Sequence, residues 1–257
     1  MLESDLNLIR EAALEAGKIA MQFYRQNPNQ WDKGGGQGPV SEADLEIDRM
    51  LQAEFSKARP NYGCLSEELE DNPSRCETDV VFIIDPIDGT RSFLNGHENF
   101  ATSIAIARNG VITEAVVHLP AKDLTYDARL GAGAQLNGKK IVAGINNEVR
   151  GARILASESQ SNPKLWSGAV PPIERHFRSS LAYRLCLVAE GRFDGMMTLR
   201  PTWEWDVAAG NLICTEAGCD VKTQDGINPI YNEKKPIMNG MIAGNPTIVY
   251  GLLNYLK

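Results

Sequence analysis

The chain has 257 residues, of which 43% are hydrophobic and 23% charged. This is the balance of a globular chain long enough for one large domain or two moderate ones. Lys and Arg number 26 against 33 Asp and Glu, a formal net charge of −7. That surface repels nucleic acid and anionic membranes at long range, which speaks against direct nucleic-acid binding or membrane attachment. A small anionic substrate would need a local positive centre, and a bound metal ion can supply one.

The five cysteines, Cys64, Cys76, Cys186, Cys214 and Cys219, are irregularly spaced and form no Cys-x-x-Cys pair. They read as free thiols in a reducing compartment, not as a zinc knuckle. Met1 to Ala20 carries charges at Glu3, Asp5, Arg10, Glu11, Glu15 and Lys18, unlike the apolar stretch of a signal peptide. The longest β-rich apolar run, Val80 to Ile84, is far too short to span a bilayer. A cytoplasmic protein is expected.

In chain order, Leu6, Ile9, Ala13, Ala16, Ala20 and Phe23 recur at spacings of three and four, which predicts an amphipathic helix. Asn27-Pro28-Asn29 stops it. The glycine-rich run Lys33 to Pro39 reads as a mobile loop or hairpin tip. Ser41 then caps a second helix, Glu42 to Ala58, ended by Pro60. A short strand, Tyr62 to Leu65, precedes Val80 to Ile84, which has the continuous apolar pattern of a strand buried on both faces. Ala101 to Ala107 and Val111 to His118 flank Arg108-Asn109-Gly110 as a hairpin. Further short strands fall at Leu124 to Arg129 and around Gln135 to Gly138. Composition shifts at Gly144 to Gly151, which divides the chain into halves 1–147 and 148–257. Beyond it the chain predicts a strand at Arg153 to Ala156, a helix at Leu181 to Glu190, a strand at Met196 to Leu199 and a helix at Val207 to Gly218. Alternating strands and helices give that half an α/β character.

Four acidic segments stand out. Asp85-Pro86-Ile87-Asp88-Gly89-Thr90 follows the buried strand, at the end where α/β folds bind ligands. A proline between the two aspartates predicts a rigid turn that aims both carboxylates at one point, as a hard cation such as Mg²⁺ requires. Gly89 admits close backbone approach, and a helix starting at Thr90 would turn free amides toward an anion. The others are Ser66-Glu67-Glu68, Asp44 in the first turn of the second helix, and Trp203-Glu204-Trp205-Asp206-Val207-Ala208-Ala209-Gly210. Each alone also fits an ordinary solvated turn, helix cap or charged face.

Together and in this order, the four segments resemble the signature of the inositol monophosphatase superfamily. That resemblance covers most of the chain. It implies a layered α-β-α-β-α sandwich, an α+β first half followed by an α/β second half. It also implies a Mg²⁺-dependent phosphomonoesterase holding two or three ions. Glu67, Asp85 and the carbonyl of Ile87 would hold one ion; Asp85, Asp88 and Asp206 a second; Glu68 a third through water. Thr90 would orient the attacking water, with Asp44 hydrogen-bonded to it and Glu67 sharing the proton handling. The Gly89 and Thr90 amides would take the phosphate oxygens. The Lys33–Pro39 loop resembles the family's flap over the site. A homodimer and inhibition by Li⁺ follow from the same resemblance.

The substrate, a small phosphorylated metabolite, is read from fewer residues. Arg91, Arg184 and the Pro201-Thr202 pair resemble the 3'(2'),5'-bisphosphate nucleotidase branch, and basic side chains suit a second phosphate. Gly133 to Gly138 is typical of inositol monophosphatases, but the carboxylate expected near Thr198 or Leu199 in that branch is missing. Trp203 and Trp205 offer rings that could stack on a purine or pack a helix start. The reading is a nucleotidase acting on 3'-phosphoadenosine 5'-phosphate, with inositol-1-monophosphatase as the alternative. Some bacterial members of the superfamily contact transcription machinery, so a regulatory protein is the alternative of another class.

Overall fold

Helix α1 (Asp5–Phe23) presents Leu8, Ile9, Ala12, Ala13, Ala16 and Ala20 along one buried face. The Ser4 hydroxyl caps it by accepting the Asn7 amide. The helix ends at Phe23, ahead of the Asn27-Pro28-Asn29 stop. Strands β1 (Gln30–Asp32) and β2 (Pro39–Ser41) form an antiparallel hairpin on either side of the glycine-rich loop. The computed structural model describes residues 4–34 and 38–256. Gly35, Gly36 and Gln37, at the centre of the segment read as a flap, lie outside the described residues.

Helix α2 (Glu42–Ala58) starts at Ser41, as its capping pattern predicts. Then come β3 (Gly63–Ser66), β4 (Val80–Asp88), α3 (Thr90–Leu94), β5 (Ala101–Arg108), β6 (Val111–Leu119), β7 (Leu124–Arg129), β8 (Gly133–Leu136) and β9 (Lys139–Lys140). The seven strands pair in chain order, with β3 and β4 parallel and every other pair antiparallel. Asn109 and Gly110 turn β5 into β6 with φ of 49° and 79°, the left-handed pair that a tight hairpin requires.

The expected turn at Asp85-Pro86-Ile87-Asp88 is instead a continuation of β4. The register against β5 slips between Asp85 and Asp88, so the strand bulges there. A bulge tolerates Pro86, which has no amide for the ladder, and re-aims the carboxylates at the strand end.

The second half supplies β10 (Arg153–Leu155), β11 (Glu174–His176), α4 (Leu181–Ala189), β12 (Gly195–Trp203), α5 (Glu204–Glu216), β13 (Asp220–Lys222), β14 (Ile237–Gly244) and α6 (Pro246–Leu253). Its five-stranded sheet runs β11-β10-β12-β14-β13. β12 is longer than the expected Met196–Leu199, because it resumes pairing with β14 after a register shift at Pro201 and runs to Trp203. Helix α5 correspondingly starts at Glu204, not Val207. Asp206 therefore sits inside the first turn and is not its cap; Trp203 is.

Three apolar layers hold these elements. Ile9, Ile47, Leu51, Phe82, Ile84 and Ile104 bind α1 and α2 to one face of the first sheet. Tyr126, Leu185, Met196, Leu212 and Met241 bury α4 and α5 between the two sheets. Ile154, Trp166, Met197, Ile242 and Ile248 bind α6 to the far face of the second sheet. The result is the α-β-α-β-α sandwich. Each sheet comes from one half of the sequence, but α4 and α5 of the second half fill the space between them.

Helix α4 crosses α5 at Gly210, where an added Cβ would lie 2.5–2.6 Å from Leu185 side-chain atoms, its Cβ included. Neither backbone can yield without disturbing the central layer. Gly210→Ala is expected to destabilise the protein by about 1–3 kcal/mol, as overpacking does. Urea unfolding of the variant checks this.

Candidate active site

The carboxylates of Asp85, Asp88 and Asp206 bring one oxygen each to within 4.8 Å of one another. β4 delivers the first two and the start of α5 the third. The Asp88 Oδ2 is fixed by the Ser180 hydroxyl at 2.6 Å and the Ala182 amide at 2.7 Å, both at the start of α4. Ser180 adopts φ of 64° and also caps α4 by accepting the Tyr183 amide at 3.0 Å. Strain at that residue serves to hold Asp88.

Such crowding is costly for charge. Burial, then the charges of Glu67, Asp88 and Asp206, hold the Asp85 carboxyl well above the usual carboxylate range. Burial, then Asp88 and Glu67, push Asp206 the same way. Burial raises Asp88 to about 6 against the Ser180 and Ala182 hydrogen bonds. The Asp85 Oδ1 is buried and has no hydrogen-bond partner among the described residues. An orphaned carboxylate oxygen among two other carboxylates fits a divalent cation bound through oxygen.

Glu67 and Glu68 follow β3. Lys33, from the end of the β1 strand, binds Glu67 at 2.8 Å and Glu68 at 2.7 Å. Burial opposes the charge on Lys33, but the two glutamates prevail and raise its pKa. Burial and then the Glu67 charge raise Glu68 to about 7. Asp44 is fully buried. Its Oδ2 accepts the Ser41 amide at 2.9 Å and the Ser41 hydroxyl at 2.5 Å, and its Oδ1 lies 3.2 Å from the Thr90 hydroxyl. The same hydroxyl lies 3.1 Å from the Ile87 carbonyl. Burial raises Asp44 to about 6. Gly89 caps α3 with φ of 97°, and a Cβ there would meet the Asn99 carbonyl at 3.1 Å.

One cavity of about 260 Å³ gathers Glu67, Asp85, Ile87, Asp88, Gly89, Thr90, Arg91, Arg184 and Asp206. Asp44 stands behind Thr90, and Glu68 beside Glu67; neither lines the cavity. Arg91 is exposed at the cavity's edge. Arg184 is buried: its Nε donates to the Arg178 carbonyl at 2.5 Å and its guanidinium lies 4.7 Å from the Phe177 ring centre. Burial lowers it to about 10. Trp203 stacks on Trp205 with ring centres 4.6 Å apart and planes 8° off parallel. Trp205 packs into the central core and Trp203 remains half-buried.

Sequence reasoning missed Lys33 as an acid-binding residue, Ser180 as the holder of Asp88, and Arg200 on the cavity wall. Lys33 and Arg200 carried only their charge as a signal. Ser180 carried one overlooked signal, its place just before a helical run.

A layered sandwich with a carboxylate-lined cavity at a strand end is the arrangement of a hydrolase built to hold a divalent cation. The profile of the inositol monophosphatase family matches residues 1–253. A Rhizobium meliloti protein named inositol-1-monophosphatase is 37% identical over 83% of this chain and 83% of its own. A Xylella fastidiosa protein named Nus factor SuhB is 31% identical over 98% of this chain and 94% of its own. A Thermotoga maritima IMPase structure superposes with a TM-score of 0.82 at 29% identity, covering 96% of this chain and 94% of that one. The chain belongs to the inositol monophosphatase family and is a phosphoric monoester hydrolase. The family is in general Mg²⁺-dependent, and the aspartate triad suits that ion. No helix of the described residues is long and apolar enough to cross a membrane.

Asp44, Glu68 and Asp88 titrate higher in the folded chain than their ordinary 3.8–4.5, at about 6, 7 and 6. Between those limits the metal-free folded state holds more protons than the unfolded chain, so its stability falls as pH rises. One pKa unit is worth about 1.4 kcal/mol. The chelated protein is expected to lose about 2 kcal/mol or more from about pH 5 to pH 8. Saturating Mg²⁺ should recover that loss at the upper pH, because it binds only the folded state. Urea unfolding at both pH values, with and without Mg²⁺, checks both signs.

Proposed function

We propose that this phosphatase acts on a substrate with a second anionic group beside the ester it cleaves, the 3'(2'),5'-bisphosphate nucleotidase reaction on 3'-phosphoadenosine 5'-phosphate. The observation that carries this reading is that Arg91, Arg184 and Arg200 border the same cavity as the aspartates. A single phosphate beside a cation needs fewer positive charges. In addition, Thr198 and Leu199, where the inositol branch would carry a carboxylate, are buried and uncharged.

In this reading Glu67, Asp85, the Ile87 carbonyl, Asp88 and Asp206 hold Mg²⁺, with Glu68 behind Glu67. When bound, Mg²⁺ supplies Lewis acidity toward the phosphate and charge for the leaving oxygen. The chain's own groups handle the proton. The Thr90 hydroxyl donates to Asp44 Oδ1, which leaves its lone pairs free to accept a proton from the attacking water. Asp44, already raised to about 6, accepts that proton in turn. The Ser41 bonds to Asp44 Oδ2 keep Oδ1 facing Thr90. The Gly89 and Thr90 amides, at a helix start with no partner inside the helix, bind phosphate oxygens. Residues 1–147 thus supply metal and phosphate binding, and residues 148–257 complete the site through Asp206 and Arg184.

The second reading is hydrolysis of inositol 1-phosphate, favoured by the name of the Rhizobium meliloti relative. The SuhB-named relatives keep a regulatory role in view; for this chain it would add to catalysis.

Asp206→Asn should lower kcat by at least about a hundred-fold while circular dichroism and the unfolding curve persist. Near-normal turnover at saturating Mg²⁺ would remove Asp206 from the ligand set. Arg184→Ala should reduce kcat/KM on 3'-phosphoadenosine 5'-phosphate at least about ten-fold more than on inositol 1-phosphate. Equal losses on the two substrates would favour the inositol reading.

A further inference from the structure

A second cavity, of about 350 Å³, adjoins the first, and the two share Glu67 and Trp203. Its charged lining groups are already engaged. Lys33 binds Glu67 and Glu68. Asp71 pairs with Arg75 through both oxygens, at 2.6 and 3.0 Å. Ser66 donates to Asp48 at 2.5 Å. What remains is the Trp203–Trp205 pair, Leu69 and Pro236.

The two cavities therefore differ in chemistry. The first is walled by three arginines and the aspartate triad. The second offers aromatic and aliphatic surface. A phosphate in the second would face the Glu67 and Asp71 carboxylates against one lysine, and a neutral heteroaromatic ring meets no such repulsion. Such a ring gains area against the half-buried Trp203 indole. Trp203 is held flat by Trp205 behind it, so little freedom is lost when a ring packs on it.

We infer that this second cavity is a base subsite, and that Trp203 is its specificity-determining residue. The phosphates of the substrate stay in the arginine-walled cavity while its nucleobase enters beside Trp203. This rests on the nucleotidase reading for its biological ligand, but the ring-binding property can be measured without any phosphate chemistry.

The test uses adenosine, which has no phosphate, as the probe. Adenosine should quench the tryptophan emission of the wild-type protein saturably, with or without Mg²⁺. Trp203→Leu, which keeps an apolar side chain against Trp205, should abolish the saturable part, and Trp203→Phe should retain it. Leu69→Trp narrows the cavity from its exposed mouth and should weaken binding even if the Trp203 variants fold poorly. Trp203→Leu should also lower the ratio of kcat/KM for 3'-phosphoadenosine 5'-phosphate over inositol 1-phosphate by about ten-fold or more, the size of one base-stacking contact. Absence of saturable quenching in the wild type, or an unchanged ratio in Trp203→Leu, overturns the subsite. Quenching in a protein that does not hydrolyse 3'-phosphoadenosine 5'-phosphate supports the subsite and overturns the nucleotidase reading alone.

Discussion

Everything in this molecule is arranged around a repulsion. Three aspartates share a space under 4.8 Å across, and two glutamates stand next to it. Two unit charges 4 Å apart would repel by about 4 kcal/mol at an effective dielectric near 20, and protons retained on the raised Asp85, Asp88 and Asp206 carboxyls relieve part of that. A flexible chain would relax that by moving the groups apart. The fold prevents it: β4 is clamped between β3 and β5, and α5 is wedged between two sheets. The strain is carried by apolar layers far from the site. A cation placed there replaces mutual repulsion with shared attraction, so the same rigidity that destabilises the empty cluster favours the bound ion.

The charges outside the triad are managed in different ways. Lys33 crosses from the β1–β2 hairpin to neutralise Glu67 and Glu68. Its partners are the same residues that the family resemblance assigns to metal. The hairpin and the acidic cluster are thereby coupled: any ion that draws Glu67 and Glu68 inward competes with the lysine that anchors the hairpin. Asp88 is managed from the other half of the chain, through Ser180 and the Ala182 amide. Neither half of the sequence can build the site alone, although each builds its own sheet.

Much of this was legible from residue types. The helix cap at Ser41, the Asn109-Gly110 hairpin and the buried strand at Val80–Ile84 obey local rules that tertiary structure did not override. The acidic segments were visible because carboxylates beside Gly, Pro and Trp are unusual company. Three things were not visible. The bulge in β4 was hidden because Pro86 signals a turn as readily as an irregular strand. The true start of α5 was hidden because Trp203 is a poor cap by composition; Glu204 instead accepts the Asn232 and Glu233 amides from a distant loop. Lys33 and Ser180 act across 34 and 92 residues of chain, and no local pattern encodes a contact of that span.

Substrate choice is the hardest property to read because it depends on which charges are spare. An arginine in the sequence is only a charge. In the fold, Arg184 gives its Nε to a carbonyl and leans on Phe177, yet still borders the cavity, so its remaining donors can serve a ligand. Asp71 and Lys33 border the adjoining cavity but are occupied by Arg75 and by the two glutamates. Counting lining residues would make the two cavities look alike in polarity. Counting engaged groups separates them into a chamber bordered by three arginines and an aromatic one, which is the separation the proposed substrate requires.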